Sequence, residues 1–424
     1  MLQRLKQIAS YLPVLGVILL STALPFHYGG YQRFSLYFLA VTHVLDYVVN
    51  QRWKNWKWSN MHWVYICQIA FFLLIPIWQI GDDLHTPILQ RTIENYLPFL
   101  IFGICGIMGI TDKLKIEYVA IAMILTSVGI IIYVSVLSYL VGVGSFAAWV
   151  DWFNIHAHDH INSHMILNLY WNFSIIMGLY LVLRSRIGVV WKSVMGVAII
   201  PIAIAVCVSD GRTGLLTFIG IVFVTMLYCM FTYRKWWVMG IILGFAVCAV
   251  AVLSQHERFI VARSETNSRV YIWNVATELI KEKPLLGHGV CSAREEFVER
   301  GLGDEAFYNH YAKSFVAYLQ RTNQKVDLSM MHPHNAILET WMQFGIIGVV
   351  LLIGLIVLPL TMRLGKYQLF LSLCVFAFAM QSIFESLGGN LQPQYFCLMV
   401  LFWHYHYLNN GGKDISPTAH LVAP

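Results

Sequence analysis

Charge is scarce in this sequence: only 12% of its 424 residues are Asp, Glu, Lys or Arg, 58% are hydrophobic, and mean hydropathy is +0.64. That composition excludes an ordinary soluble enzyme. Low-complexity tracts, a disulfide framework and zinc-finger spacing are also lacking. Of the eight cysteines, Cys67, Cys105, Cys207, Cys229, Cys248, Cys374 and Cys397 lie in apolar runs, and only Cys291 falls in a substantial loop. The first apolar run has no small-residue cleavage site at its end, because "ALPFHYGGYQRF" leads into another apolar stretch. It is expected to stay as a span.

Apolar runs close to bilayer length recur along the chain, among them "YLPVLGVILLSTALPF", "YVAIAMILTSVGIIIYVSVL", "LLTFIGIVFVTMLYCMF" and "IIGVVLLIGLIVLPLTM". About twelve helical spans are expected, making an all-α, polytopic membrane protein. With the N-terminus in the cytoplasm, Arg4 and Lys6, Arg52, Lys54 and Lys57, Lys113 and Lys115, Arg184, Arg186 and Lys192, Arg234 and Lys235, and Arg363 and Lys366 share that side. Short loops of the other face keep only Arg33, Arg91 and Arg212. Both termini are therefore expected to be cytoplasmic in a bacterial inner membrane. The net charge of +6 then reports topology rather than a nucleic-acid partner.

One segment breaks the rhythm of spans and short turns, dividing the chain into membrane helices over 1–253, an external helical loop over 254–335, and further membrane helices with a cytoplasmic tail over 336–424. In the loop, "NSRVYIWNVATELIKEKPLLGHG" starts at a good cap, Asn267 or Ser268, aligns Tyr271, Val275 and Leu279 on one stripe, and stops at Pro284 and Gly287. "SAREEF" reads as a capping box, with Ser292 at the cap and Glu295 three residues on. A third helical face carries Phe307, Tyr311, Phe315 and Tyr318. These aromatic stripes are expected to pack a lid over the membrane domain.

Three basic positions stand at the edges of this loop. Arg212 in "SDGRTG" ends one span and begins another, flanked by two glycines and Asp210. A snorkelling arginine would fit there too. Arg269 falls in the first turn of its helix, where exposed N–H groups and a guanidinium fork together suit a phosphate; a solvated arginine beside Glu265 is the plainer alternative. His334 follows Pro333, which restrains His332 to extended geometry and can begin a helix just beyond. A histidine at a membrane boundary can serve as a general base. "HAHDHINSHM" offers His156, His158, His160 and Asp159 as short-spaced ligands suited to an extended strand or loop, but no second cluster with zinc spacing accompanies them, and substrate contact or interfacial packing is expected instead.

The stretch from 332 to 348, "HPHNAILETWMQFGIIG", resembles the signature of the O-antigen ligase family: His334, Asn335, nine residues, Gly345, two residues, Gly348. "SDGRTG" is similar to that family's arginine at the outer end of a mid-chain span, although Asp210 and Gly211 separate Ser209 from Arg212. "SRVYIWNVATELIKEKPLLGHG" is similar to the arginine, tryptophan and "P-x-x-G-x-G" run of its large external loop, and "HAHDHINSHM" resembles the histidine-rich loop of some members. In that loop Asp159 replaces the basic residue found between the histidines of some members.

The resemblance implies a membrane glycosyltransferase that needs no cofactor. Its donor would be O-polysaccharide on undecaprenyl diphosphate, and its acceptor a sugar hydroxyl of lipid A–core. It further implies His334 as general base, Arg212 and Arg269 on the diphosphate, and substrate contacts from His332, Asn335, His158 and His160. An O-antigen polymerase or a protein O-oligosaccharyltransferase of the same superfamily would share donor and site. A polysaccharide transporter or flippase fits the spans, but would carry ionisable residues deep within them and paired inverted repeats.

Overall fold

Backbone polar groups in hydrocarbon must be satisfied within their own segment, and the apolar runs here accordingly fold as helices. The computed structural model describes residues 1–26, 29–56, 58–79, 87–109, 111, 113–234, 236–237, 239–241, 244, 268–313, 315–317, 331–361, 364–386 and 392–409. No strand occurs among the described residues. The helices before the loop are α1 (Leu2–Ala23), α2 (Gly29–Val49), α3 (His62–Trp78), α4 (Pro87–Met108), α5 (Ile116–Leu140), a shorter α6 (Phe146–His160), α7 (His164–Leu183), α8 (Val189–Val208) and α9 (Arg212–Tyr233). After the loop helices α10 (Ser268–Glu282) and α11 (Val290–Gly303) come α12 (Ala336–Val357), α13 (Gln368–Phe384) and α14 (Gln392–Asn409).

Six helices among the described residues are long and apolar enough to cross a membrane: α1, α5, α7, α8, α9 and α12 with its 3-10 extension to Thr361. The expected count of about twelve is not reached by length and hydropathy. α3 and α13 are apolar but shorter, while α2 and α4 are long but carry polar groups. In α2 those groups turn inward: Gln32 donates to Leu24 O at 2.9 Å, and buried Asp46 accepts from Arg52 at 2.6 Å. A hydropathy sum penalises such residues although the bundle pairs several of them.

Helix α7 forms the centre, with 83% of its apolar window buried. It runs antiparallel to α5, because Tyr180 near its end donates to Glu117 in the first turn of α5 at 2.8 Å, and Ser127 meets Ser174 midway at 2.8 Å. His406 near the end of α14 also meets Tyr180, at 3.4 Å. At the other end, Tyr395 near the start of α14 donates to Leu24 O just past α1, at 2.6 Å. One end of the bundle therefore gathers the starts of α1 and α5 with the ends of α7 and α14. The opposite end gathers the starts of α7 and α14 with the end of α1.

The loop helices have their own apolar cluster. Ile272, Val275, Ala276 and Leu279 of α10 pack with Phe297 of α11 and Phe307, and Tyr311 and Phe315 border them. Tyr318 lies outside the described residues. α11 begins at Val290 with Gly289 as its cap, so Ser292 is an interior residue and not the expected cap. The cause is tertiary. Gly289 N donates to Gln343 O at 3.0 Å and His288 N to Met342 O at 2.7 Å, which fixes the helix cap at Gly289 rather than at Ser292.

Those bonds belong to a joint between the loop and α12. Gly345 interrupts α12 with φ 64° and ψ −159°, a region that non-glycine residues rarely occupy. The "PLLGHG" turn fills the break. Ile346 N and the Trp341 indole both donate to Pro284 O, at 3.0 and 2.9 Å. A Cβ at Gly345 would stand 2.1 Å from Leu285 O and 2.5 Å from Leu286 N, both backbone atoms. Gly345→Ala should therefore cost at least about 1–3 kcal/mol from backbone strain alone, before any displacement of the turn. A thermal unfolding midpoint in detergent equal to that of the wild type would refute this account of the joint.

Candidate active site

Arg212 is the first residue of α9 and Arg269 the second of α10, so each stands where the positive end of a helix dipole emerges. A cation gains nothing from that position by itself; an anion placed between two such helix starts does. Both arginines line one cavity of about 350 Å³, whose walls also include His164, Asn168, Trp273 and Glu385. Two regions more than fifty residues apart in sequence thus supply one pocket, where the two arginines stand with two carboxylates, Asp210 and Glu385.

The turn before α9 is held by asparagines. Asn168 of α7 donates to Ser209 Oγ at 3.0 Å, Asn172 donates to Gly214 O at 3.1 Å, and Asp210 N donates to Asn154 Oδ1 at 3.0 Å. A Cβ on Gly211 would lie 2.1 Å from Asn168 Nδ2, and one on Gly214 would lie 2.4 Å from Asn168 Cβ. The two glycines of "SDGRTG" let α7 approach closely and so set the direction of Arg212.

Arg269 is not a solvated surface residue. Its side chain is 32% exposed, lies over the Phe384 ring at 5.2 Å, and comes within 3.8 Å of Glu385 Oε1. Burial lowers its pKa, and the Glu385 charge opposes that shift. Glu265 lies outside the described residues.

Glu385, only 3% exposed, connects the cavity to the histidine pair, because its other oxygen lies 3.3 Å from His334 Nδ1. This arrangement suits an Nδ1–H facing the carboxylate, which leaves a lone pair on Nε2. Tyr311 Oη sits 3.4 Å from that Nε2. His334 itself is not in the cavity wall; Glu385 stands between. His334 adopts φ 48°, a left-handed conformation uncommon outside glycine. Trp273, another wall residue, donates to Pro333 O at 3.0 Å and ties α10 to this turn.

His332 Nδ1 accepts the His334 N–H at 3.3 Å, which requires a neutral ring. Burial, then the neighbouring His334, Arg294 and Arg91, push His332 well below the usual histidine range. Asn335, expected among the substrate contacts, caps α12: its Oδ1 accepts from Ile337 N and Leu338 N, both at 2.9 Å. Below it, Arg294 donates to buried Glu339 at 2.9 Å and joins α11 to α12.

The histidine-rich stretch is helical rather than extended, as the end of α6. Ser145 caps that helix by accepting from Ala148 N at 3.2 Å, and His156 stacks on Trp152 at 3.8 Å. The side chains of His158, Asp159 and His160 lie outside the described residues.

Sequence reasoning missed Glu385, His164 and the three asparagines. For Glu385 a signal existed, since "QSIFESLGGN" places a lone acid at the end of an apolar helix, and ionisable residues there need a partner. The asparagines carry no such mark. Their role depends on which helices meet.

As the orienting partner of His334, Glu385 makes a distinct prediction. Glu385→Gln keeps shape but removes the charge facing Nδ1, and should lower turnover by about ten- to a hundredfold, by analogy with partners that orient other ligating histidines. Glu385→Asp should recover part of the loss. An unchanged kcat in the Gln variant would mean that the carboxylate only packs the site.

Residues 197–353 match the sequence profile of a family described as O-Antigen ligase. That interval contains Arg212, Arg269, His334 and Gly345 and ends before Glu385. A Rickettsia conorii protein, named as a candidate polysaccharide ligase, is 28% identical over 100 residues, covering 24% of this chain and 21% of its own length. A Rickettsia prowazekii protein with the same kind of name is 26% identical over 156 residues, covering 35% of each. The chain thus spans between about a fifth and about a third of the length of these relatives. With six helices long and apolar enough to cross a membrane among its described residues, this is a multi-pass membrane protein whose residues 197–353 are similar to the O-antigen ligase family.

Proposed function

We propose that the protein is a glycosyltransferase that moves a polysaccharide from undecaprenyl diphosphate to a sugar hydroxyl of lipid A–core, at the periplasmic face of a bacterial inner membrane. The observation that carries this reading is the convergence of Arg212 and Arg269, each in the first turn of a helix, on one cavity that Glu385 links to His334. A diphosphate matches two guanidinium groups and two dipole ends better than a neutral ligand would.

In this mechanism the acceptor hydroxyl oxygen attacks the anomeric carbon from the face opposite the diphosphate. The C–O bond to the diphosphate breaks, and its electron pair stays on the leaving oxygen. Arg212 and Arg269 stabilise the charge that grows there. His334 Nε2, which faces Tyr311 outside the cavity wall, takes the proton of an acceptor hydroxyl that enters from that side, and Glu385 holds the imidazolium that results. The anomeric carbon is inverted. Neutral His332 and the capping Asn335 hold the turn carrying His334, while His158 and His160 are assigned to glycan contact. The activated diphosphate supplies the driving force, so neither cofactor nor nucleotide sugar is required.

Deleting the gene in its host, then restoring it as wild type or as an inactive variant, tests the assignment. Full-length polymer stranded on undecaprenyl diphosphate beside bare lipid A–core, rescued by wild type alone, is the expected gel pattern. Core capped with single repeat units would instead indicate a polymerase, and unchanged lipopolysaccharide would reject both.

A further inference from the structure

A second cavity, of about 970 Å³, opens at the end of the bundle opposite the arginine pocket, between the starts of α1 and α3 and the end of α14. Lys6, Arg52 and Lys113 line it, together with His62 and His404, and no carboxylate among the described residues does. Asp46 stands behind the wall, holding Arg52 at 2.6 Å. His404 is 3% exposed; its Nδ1 meets Tyr65 Oη at 2.8 Å, while its Nε2 is buried without a hydrogen-bond partner among the described residues. The described lining of the cavity is therefore basic.

Next to it runs a groove of about 390 Å³ along α1, walled by Gln7, Ile8, Tyr11, Leu12 and Leu15. Gln7 and Tyr11 belong to both walls. A soluble anion would use the first cavity and leave the second empty; a lipid would fill both. Tryptophans mark the same level as a membrane interface, since Trp56 and Trp58 line the cavity and Trp53 and Trp63 are exposed close by in sequence.

We infer that this end of the protein binds one anionic glycerophospholipid, its headgroup phosphate among Lys6, Arg52 and Lys113 and an acyl chain along the Gln7–Leu15 groove of α1. Basic pockets between membrane helices recognise anionic headgroups by this combination of charge and apolar wall. By the distribution of basic loops, the leaflet concerned is the cytoplasmic one.

Native mass spectrometry of the full chain in detergent, with phosphatidylglycerol or phosphatidylethanolamine added, provides the test. One bound phosphatidylglycerol, retained at least tenfold better than phosphatidylethanolamine, is expected. In Lys6→Glu/Lys113→Glu that preference should fall within twofold. Equal retention of the two lipids, or a preference that survives the double variant, overturns the inference. Displacement of the lipid by inorganic phosphate at comparable concentration also overturns it, because the groove would then play no part. Should the double variant fail to fold, phosphatidylglycerol with a photoreactive acyl chain decides on the wild-type protein. Labelling within residues 3–15 supports the site, and labelling confined elsewhere refutes it.

Discussion

His334→Ala is expected to slow glycan transfer by about 10²–10⁴-fold, the usual contribution of a positioned general base. The argument rests on geometry. One ring nitrogen is 3.3 Å from the buried carboxylate of Glu385 and the other 3.4 Å from Tyr311 Oη, so Nε2 takes the acceptor proton when the acceptor hydroxyl replaces the tyrosine there. His332 cannot substitute, because its Nδ1 is engaged by the His334 N–H and burial keeps its ring neutral. Since His334 has φ 48°, alanine would also strain the turn, and His334→Asn is the cleaner variant because asparagine tolerates that conformation. Both should lose activity alike, measured on purified protein with lipid-linked donor and core acceptor. An asparagine variant with near wild-type turnover would remove His334 from the mechanism.

Arg269→Ala should lose about 10²–10³-fold in kcat, comparable to removing one preorganised donor from a developing anion. Arg269→Lys is the more informative change. It keeps the charge, but a point cation cannot reproduce a guanidinium lying over Phe384 at 5.2 Å while facing Glu385 at 3.8 Å. A loss of at least tenfold is expected for lysine, read mainly in kcat if the contact strengthens as the diphosphate departs. Full activity in the lysine variant would reduce Arg269 to electrostatic attraction of the donor.

Much of this site was legible because its parts obey local rules. Arg269 could be placed in a first turn, since "NSRVYIW" has a starting residue and a helical stripe that α10 reproduces from Ser268. Local rules failed where the fold overrode them. Ser292 makes a plausible cap, but the docking of Gly289 on Gln343 starts α11 earlier. The alternating histidines suggested an extended loop, whereas the apolar "FAAWVDWF" and the Ser145 cap carry helix through them. Glu385 stands out in sequence as a lone acid at a helix end, but its partners, Arg269 and His334, are distant in sequence and no periodicity connects them.

The break at Gly345 makes a lever of the loop. Pro284 and Gly289 are pinned to the backbone of α12, so a tilt of the apolar half of that helix must carry the end of α10 with it. Arg269 sits near the far end of α10, about 20 Å from its last residue Glu282 at 1.5 Å per residue. A small rotation at the pivot then becomes a larger sweep of the guanidinium. Trp273, bonded to Pro333 O at 3.0 Å, would carry the His334 turn along with any such tilt.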